Sequence, residues 1–270
     1  MTTATHALTL AEYLALPAVS SHRLWALHHR SPWHARYSEQ EQTEAKDKGT
    51  LLHALVLEPE SVESRFHRFV GEKRTKEAKE EWERAEAQGL VVVRADAWDE
   101  VEAEAGRVRA AVAPLLDAAT GTERVLLWTD PETGLGCKAR ADLLLPDGMA
   151  DLKRFSRSAH PRSFVAACAT YGSHFQAAWY MRGARILGLP CSRWRWIAVE
   201  ANGPVTVYEA RPEDLLRTER VLLDTLARWC ACERDGVWPA YEGGALDLSA
   251  IVAGEEPDFS DIELEEEEVP

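Results

Sequence analysis

Asp142, Asp151 and Lys153 are the residues of this chain whose types and spacing most directly suggest chemistry. They sit in strand-like sequence: Lys138-Ala139-Arg140-Ala141-Asp142 precedes a Pro146-Asp147-Gly148 turn, and Asp151-Leu152-Lys153 comes after it. Strand side chains alternate, so Lys138, Arg140 and Asp142 share one face, and Asp151 shares a face with Lys153. A hairpin folded at the turn brings the two acids together at one edge of a sheet, with Lys153 beside them. Carboxylates held close repel unless a cation lies between them. Hard oxygen ligands suit Mg2+ or Mn2+, the usual ions of phosphoryl chemistry. A neighbouring ammonium can orient an attacking water or stabilise charge building on a phosphate. A lone Asp-x-Lys is most often a pair of solvated surface charges; the preceding strand with its own Asp raises this one above that reading.

The surrounding sequence supplies the elements that must position these groups. Residues 9–37 read as helix, turn and helix: Leu10, Tyr13 and Leu14 have helical spacing, Pro17 breaks the pattern, Ser20 or Ser21 can cap the second helix, and Pro32 ends it. A third helix over 48–57 closes at Glu58-Pro59. Residues 72–86 are charged and helix-forming, and Asp96 is placed to cap a long amphipathic helix that Pro114 ends, with 115–119 as a further turn. The pattern then turns to β: 124–129, a turn over 130–134, 135–145, and 149–153. Residues 161–187 read as one or two helices, 194–200 and 205–210 as strands joined at Asn202-Gly203, and 212–234 as a closing helix with Pro in its first turn. This order predicts an α/β fold, a mixed central sheet flanked by helices on both faces. The expected organisation is one domain over 1–253, with 1–120 mostly helical and 121–240 forming the sheet and its helices.

Asp142 together with Asp151-Leu152-Lys153 resembles the PD-(D/E)xK nuclease signature, and the chain resembles RecE-type exonucleases (exonuclease VIII) of phages and prophages in five blocks. Residues 20–37 resemble that family's opening motif, and residues 48–59 its Gly-Thr-x-x-His helix. Arg74-Thr75-Lys76 is similar to a short basic loop. Trp128-Thr129-Asp130, Gly134 and residues 138–142 resemble its meander. Tyr171-Gly172, His174, Gln176-Ala177-Ala178 and Tyr180 resemble its last catalytic helix. One departure is Ala141, where the generic signature has Pro; that position supplies no ligand.

The resemblance implies a restriction-endonuclease-like fold and a metal site held by Asp142, Asp151, the backbone carbonyl of Leu152 and His53. From the residues alone, His53 inside an apolar helix reads as a hydrogen-bonded core histidine. Gln176 and Tyr180, four residues apart on one helix face, would by resemblance flank the catalytic Lys153, Asp142 and Asp151. Arg74, Lys76, Lys138 and Arg140 are candidates for the DNA backbone, since guanidinium and ammonium groups pair with phosphate; solvated surface charge is the alternative for each. The implied activity is a Mg2+-dependent exonuclease degrading linear double-stranded DNA 5′ to 3′. The implied partners are a RecT-like single-strand annealing protein and further copies of the chain in a ring. A repair or CRISPR-associated single-strand nuclease, or a non-cutting binder with a nuclease fold, are the alternative readings.

Composition limits these readings without choosing among them. A hydrophobic fraction of 46% and a charged fraction of 28% are those of a globular protein. No apolar run is long enough to span a bilayer and no signal-peptide pattern opens the chain, so a cytoplasmic location away from membranes is expected. Five scattered cysteines suggest packed small residues rather than disulfides or a four-cysteine cluster. The net charge of −14 disfavours DNA, but nine carboxylates and no Lys or Arg fall in 254–270. That tail, expected to be disordered, leaves only −5 on the body.

Overall fold

The first third of the chain is mostly helical. Its helices are α1 (Leu10–Ala15), α2 (Ser21–His29), α3 (Pro32–Tyr37), α4 (Glu44–Leu57) and α5 (Val62–Arg65). These belong to a computed structural model that describes residues 5–38, 43–71, 74–241 and 243; the acidic tail over 254–270 lies outside the described residues. Thr9 starts α1 with a reciprocal capping box to Glu12. Thr43 caps α4 through the Lys46 N–H, so the helix starts ahead of the expected Lys48 and stops just before Pro59.

Strand β1 (Phe66–Phe69) and β2 (Val91–Arg94) pair in parallel across α6 (Lys76–Ala87). Helix α7 (Ala95–Ala111) comes next; Asp96, expected as its cap, lies inside it and accepts from the Ala97 N–H and the Arg94 guanidinium. Helix α8 (Ala113–Ala118) carries Pro114 in its first turn.

Five strands form the central sheet in sequence order: β3 (Gly121–Thr129), β4 (Gly136–Leu145), β5 (Gly148–Phe155), β6 (Arg193–Glu200) and β7 (Val205–Glu209). Neighbours are antiparallel except β5 and β6, which run parallel because α9 (Pro161–Tyr171) and α10 (Ser173–Ile186) carry the chain back between them. Helix α11 (Pro212–Asp235) then packs on α10 and α2. This is the mixed sheet between helical layers that the sequence predicts.

Two apolar cores lie on opposite faces of the sheet. One joins Leu24, Leu27, Phe164, Trp179 and Trp229 to Ala139 and Ala141 of β4. The other joins Leu51, Leu52, Val101 and Val108 to Leu143 and Leu145 of the same strand. Residues 139, 141, 143 and 145 share one parity and would face one way along a regular strand. The facing therefore switches between Ala141 and Leu143, and Asp142 sits at the switch. Among the described residues no helix is long and apolar enough to cross a membrane.

Candidate metal centre

The sheet register sets three acids in a row. Thr122 pairs with Leu143 and Arg124 with Ala141, so Glu123 stands opposite Asp142. Leu143 pairs with Ala150, so Asp151 is next in line across the following strand. Glu123 has φ 49°, a left-handed backbone that costs a non-glycine residue about 1–2 kcal/mol. At Asp142 the β4–β5 ladder opens: the Leu152 N–H donates to Asp142 Oδ2 at 2.7 Å instead of to a strand carbonyl. The splay leaves both acids, buried at 7% and 1% exposure, where the β4–β5 pairing ends.

His53 reaches this break from α4. Its Nε2 lies 2.9 Å from the Leu152 carbonyl. A carbonyl only accepts, so Nε2 carries the hydrogen and Nδ1 is the atom that faces the acids. Nδ1 is 3.6 Å from Asp142 Oδ2 and 3.7 Å from Glu123 Oε1, and one ligand atom from each of the three residues lies within 4.8 Å of the others. An Nε2–H donated to a carbonyl fixes the ring so that Nδ1 can serve as a ligand. Burial works to lower the His53 pKa, but Asp142 and Glu123 outweigh it and push the imidazole up to about 9. The proton thus holds the place of a cation between the acids. Burial, and next to it the Glu123 charge, raise Asp142.

Asp151 stands beside this group rather than within it. Its Oδ1 accepts from Gln176 Nε2 at 3.0 Å, and Lys153 Nζ sits 2.8 Å from Oδ2 as an ion pair. Apart from that ion pair Oδ2 is buried without a well-formed hydrogen bond, which leaves lone-pair capacity unmet. Burial pushes Asp151 up to about 6, with Asp142 adding to it and Lys153 opposing. For Lys153, burial would lower the pKa, but Asp151 and Asp142 reverse this and hold the group charged. Tyr180 is buried one helical turn beyond Gln176, and that burial raises its hydroxyl above the ordinary value. Two acids, Glu123 and Asp142, and one imidazole nitrogen, with the unsatisfied Asp151 oxygen beside them, fit a hard divalent ion.

The remaining expected residues divide sharply. Lys138 is turned inward: its Nζ donates to the carbonyls of Tyr13 and Leu16 at 2.8 and 2.9 Å and closes the C-terminus of α1. Arg140 is also engaged, 2.8 Å from Glu123 Oε2 and 3.2 Å from Glu58 Oε2, so it positions an acid of the site rather than facing DNA. Both cations, expected as phosphate contacts, are thus paired with acids and carbonyls of the chain itself. Arg74 and Lys76 lie at the start of α6, and the Lys76 side chain is 84% exposed, with Glu80 3.6 Å away. The Leu152 carbonyl, expected to be a ligand, accepts from His53. Glu123 was not anticipated. Its signal was the register itself: six residues back from Thr129 and six forward from Gly136 meet as Glu123 and Asp142.

Comparisons with known proteins bear on the fold. No family model matches the chain, and no curated protein matches it. A crystal structure of a "Putative exonuclease" from Eubacterium rectale superposes with a TM-score of 0.64 at 12% identity, covering 92% of this chain and 99% of that one. At that identity the match establishes a shared fold over nearly the whole of both chains.

Proposed function

We propose that this chain is a divalent-metal-dependent exodeoxyribonuclease with a PD-(D/E)xK-type centre, acting on linear double-stranded DNA. The observation that carries the reading is the break between β4 and β5. There His53, Glu123 and Asp142 offer ligands within 4.8 Å, and the Asp151–Lys153 pair stands beside them. The fold shared with the "Putative exonuclease" from Eubacterium rectale agrees with it.

A bound Mg2+ or Mn2+ would supply positive charge and Lewis acidity next to the scissile phosphate. The protein's own groups divide the rest. His53, held by the Leu152 carbonyl, and Asp142, held by the Leu152 N–H, are both fixed by one residue of β5. Arg140 holds Glu123 toward them. Lys153 is charged at neutral pH, so it cannot act as a base. It donates, orienting a water or stabilising charge on the phosphate. Gln176 keeps Asp151 aligned with Lys153.

The finer features rest on the motif resemblance: 5′-to-3′ direction, a ring through which DNA threads, a single-strand annealing partner and a role in phage-type recombination. A digest of linear duplexes labelled at either the 5′ or the 3′ end, with Mg2+ or with EDTA, tests the reading. Expected is metal-dependent release of nucleotides from the 5′ ends, lowered about 100-fold or more in Lys153→Ala. Absence of cleavage under Mg2+ and Mn2+ alike would refute the enzyme.

A further inference from the structure

A second constellation lies on the far side of α10 from Asp151. The chain carries 45 acidic residues among 270, yet none falls in residues 13–38 or 152–199. The first stretch forms α2 and α3 and the second forms α9 and α10; α2 packs against α10 and α11. Where they meet, a cavity of about 230 Å³ is lined by His28, His174, Phe175, Arg217, Thr218 and Val221.

Its walls are flat rings. His28 stacks on Phe175 with centroids 5.7 Å apart at 15°, and Trp25 stacks on His29 at 4.8 Å and 10° while meeting His174 edge-on at 5.4 Å. Gly172 allows this packing, since a Cβ there would come within 2.5 Å of the Trp25 ring. Burial first, and nearby Arg228 next, lower the His28 pKa; burial lowers that of His174. Both rings are therefore neutral faces at pH 7. Two guanidinium groups stand at the cavity: Arg217 lines it, with Asp214 3.2 Å away, and Arg228, exposed and in no ion pair among the described residues, lies near His28. Neutral aromatic faces beside guanidinium groups recognise an unpaired base and its phosphate.

We propose that this pocket is a stacking subsite for single-stranded DNA, holding an unpaired nucleotide one helix away from the metal centre. His174 and Phe175 immediately precede Gln176, so one helix start connects the pocket to the Asp151 pair. The inference rests on the nuclease reading and adds where an unpaired strand goes.

The test is fluorescence anisotropy of a labelled oligothymidylate in EDTA, compared with a blunt duplex of equal length. His28→Ala, and Val221→Trp, which fills the cavity without changing charge, should each weaken oligothymidylate about tenfold and leave the duplex unchanged. Equal loss on both ligands, or no loss on either, overturns the subsite. So does wild-type protein that binds no oligothymidylate. Asp142→Asn should lose cleavage while binding oligothymidylate normally, so failure of the catalytic reading and failure of the subsite give different results. Should His28→Ala alter self-association and leave DNA binding intact, the pocket is a protein interface and the proposal fails.

Discussion

Removing the Lys153 ammonium would leave the Asp151 carboxylate buried with Gln176 as its remaining polar partner. A buried charge stripped of its partner costs about 3 kcal/mol or more. Lys153→Ala is therefore expected to lose stability by about that amount and cleavage by about 100-fold or more. Adding Asp151→Asn should restore most of the stability, read from urea unfolding, and none of the activity. If the double variant is no more stable than Lys153→Ala, the two charges are not coupled. Glu123→Gln keeps the volume and removes the charge facing Nδ1 of His53, so Mn2+ affinity by calorimetry should fall at least about tenfold. At this scale the sequence displayed Asp142, Asp151, Lys153 and, through resemblance, His53, Gln176 and Tyr180. It hid Glu123, whose place depends on which residue it opposes across a turn. Nor does it reveal that Lys138 meets the Tyr13 carbonyl, 125 residues away, or that Arg140 meets Glu58, 82 residues away, as well as Glu123.

The elements hold those side chains through a few fixed points. Gly148, where β5 begins, has no room for a side chain: an added Cβ would lie 1.8 Å from the Arg193 carbonyl of β6. Gly148→Ala should separate β5 from β6 and cost more than about 4 kcal/mol, or prevent folding, as monitored by circular dichroism. The β3–β4 turn is tied to α10 and α11 by Asp130, which accepts from Arg182 and from the Thr133 hydroxyl; Arg182 also meets Glu219. Burial acts to raise the Asp130 pKa, but those bonds win and hold it below its ordinary value. A depressed folded pKa adds stability above the unfolded value, about 3.9, and that contribution fades as pH falls through the lower folded value. Asp130→Asn should thus cost about 3 kcal/mol at pH 7 and progressively less as the medium is acidified below pH 4. A difference independent of pH would contradict this. Long periodic helices and the turn-bounded meander were readable from local pattern alone. The β1–β2 pair was not: each strand has four residues and they pair in parallel across α6, so nothing local marks either as a strand.

Across the whole molecule, the candidate ligands come from α4, β3 and β4, 89 residues apart from His53 to Asp142, and only the folded chain unites them. A cation that binds there binds the native state and not the unfolded one. Its free energy of binding then adds to stability, reaching about 2.7 kcal/mol when the free ion is 100 times its dissociation constant. For a chain of this size each kcal/mol moves the unfolding temperature by about 2–4 °C, so saturating Mn2+ should raise Tm by about 5–10 °C over EDTA. The metal-free protein balances Glu123 and Asp142 with the His53 proton, an arrangement the ion replaces rather than builds. Asp142→Asn removes one repelling carboxylate, so its metal-free Tm should equal or exceed that of the wild type while the shift with Mn2+ disappears. The two halves of that outcome separate explanations that activity alone would merge. A variant that is merely misfolded loses Tm in EDTA, whereas one that lacks a ligand loses only the response to the ion. Scanning calorimetry of wild type and Asp142→Asn, each with EDTA and with Mn2+, reads both. A shift that survives in Asp142→Asn would place the ion away from the break between β4 and β5.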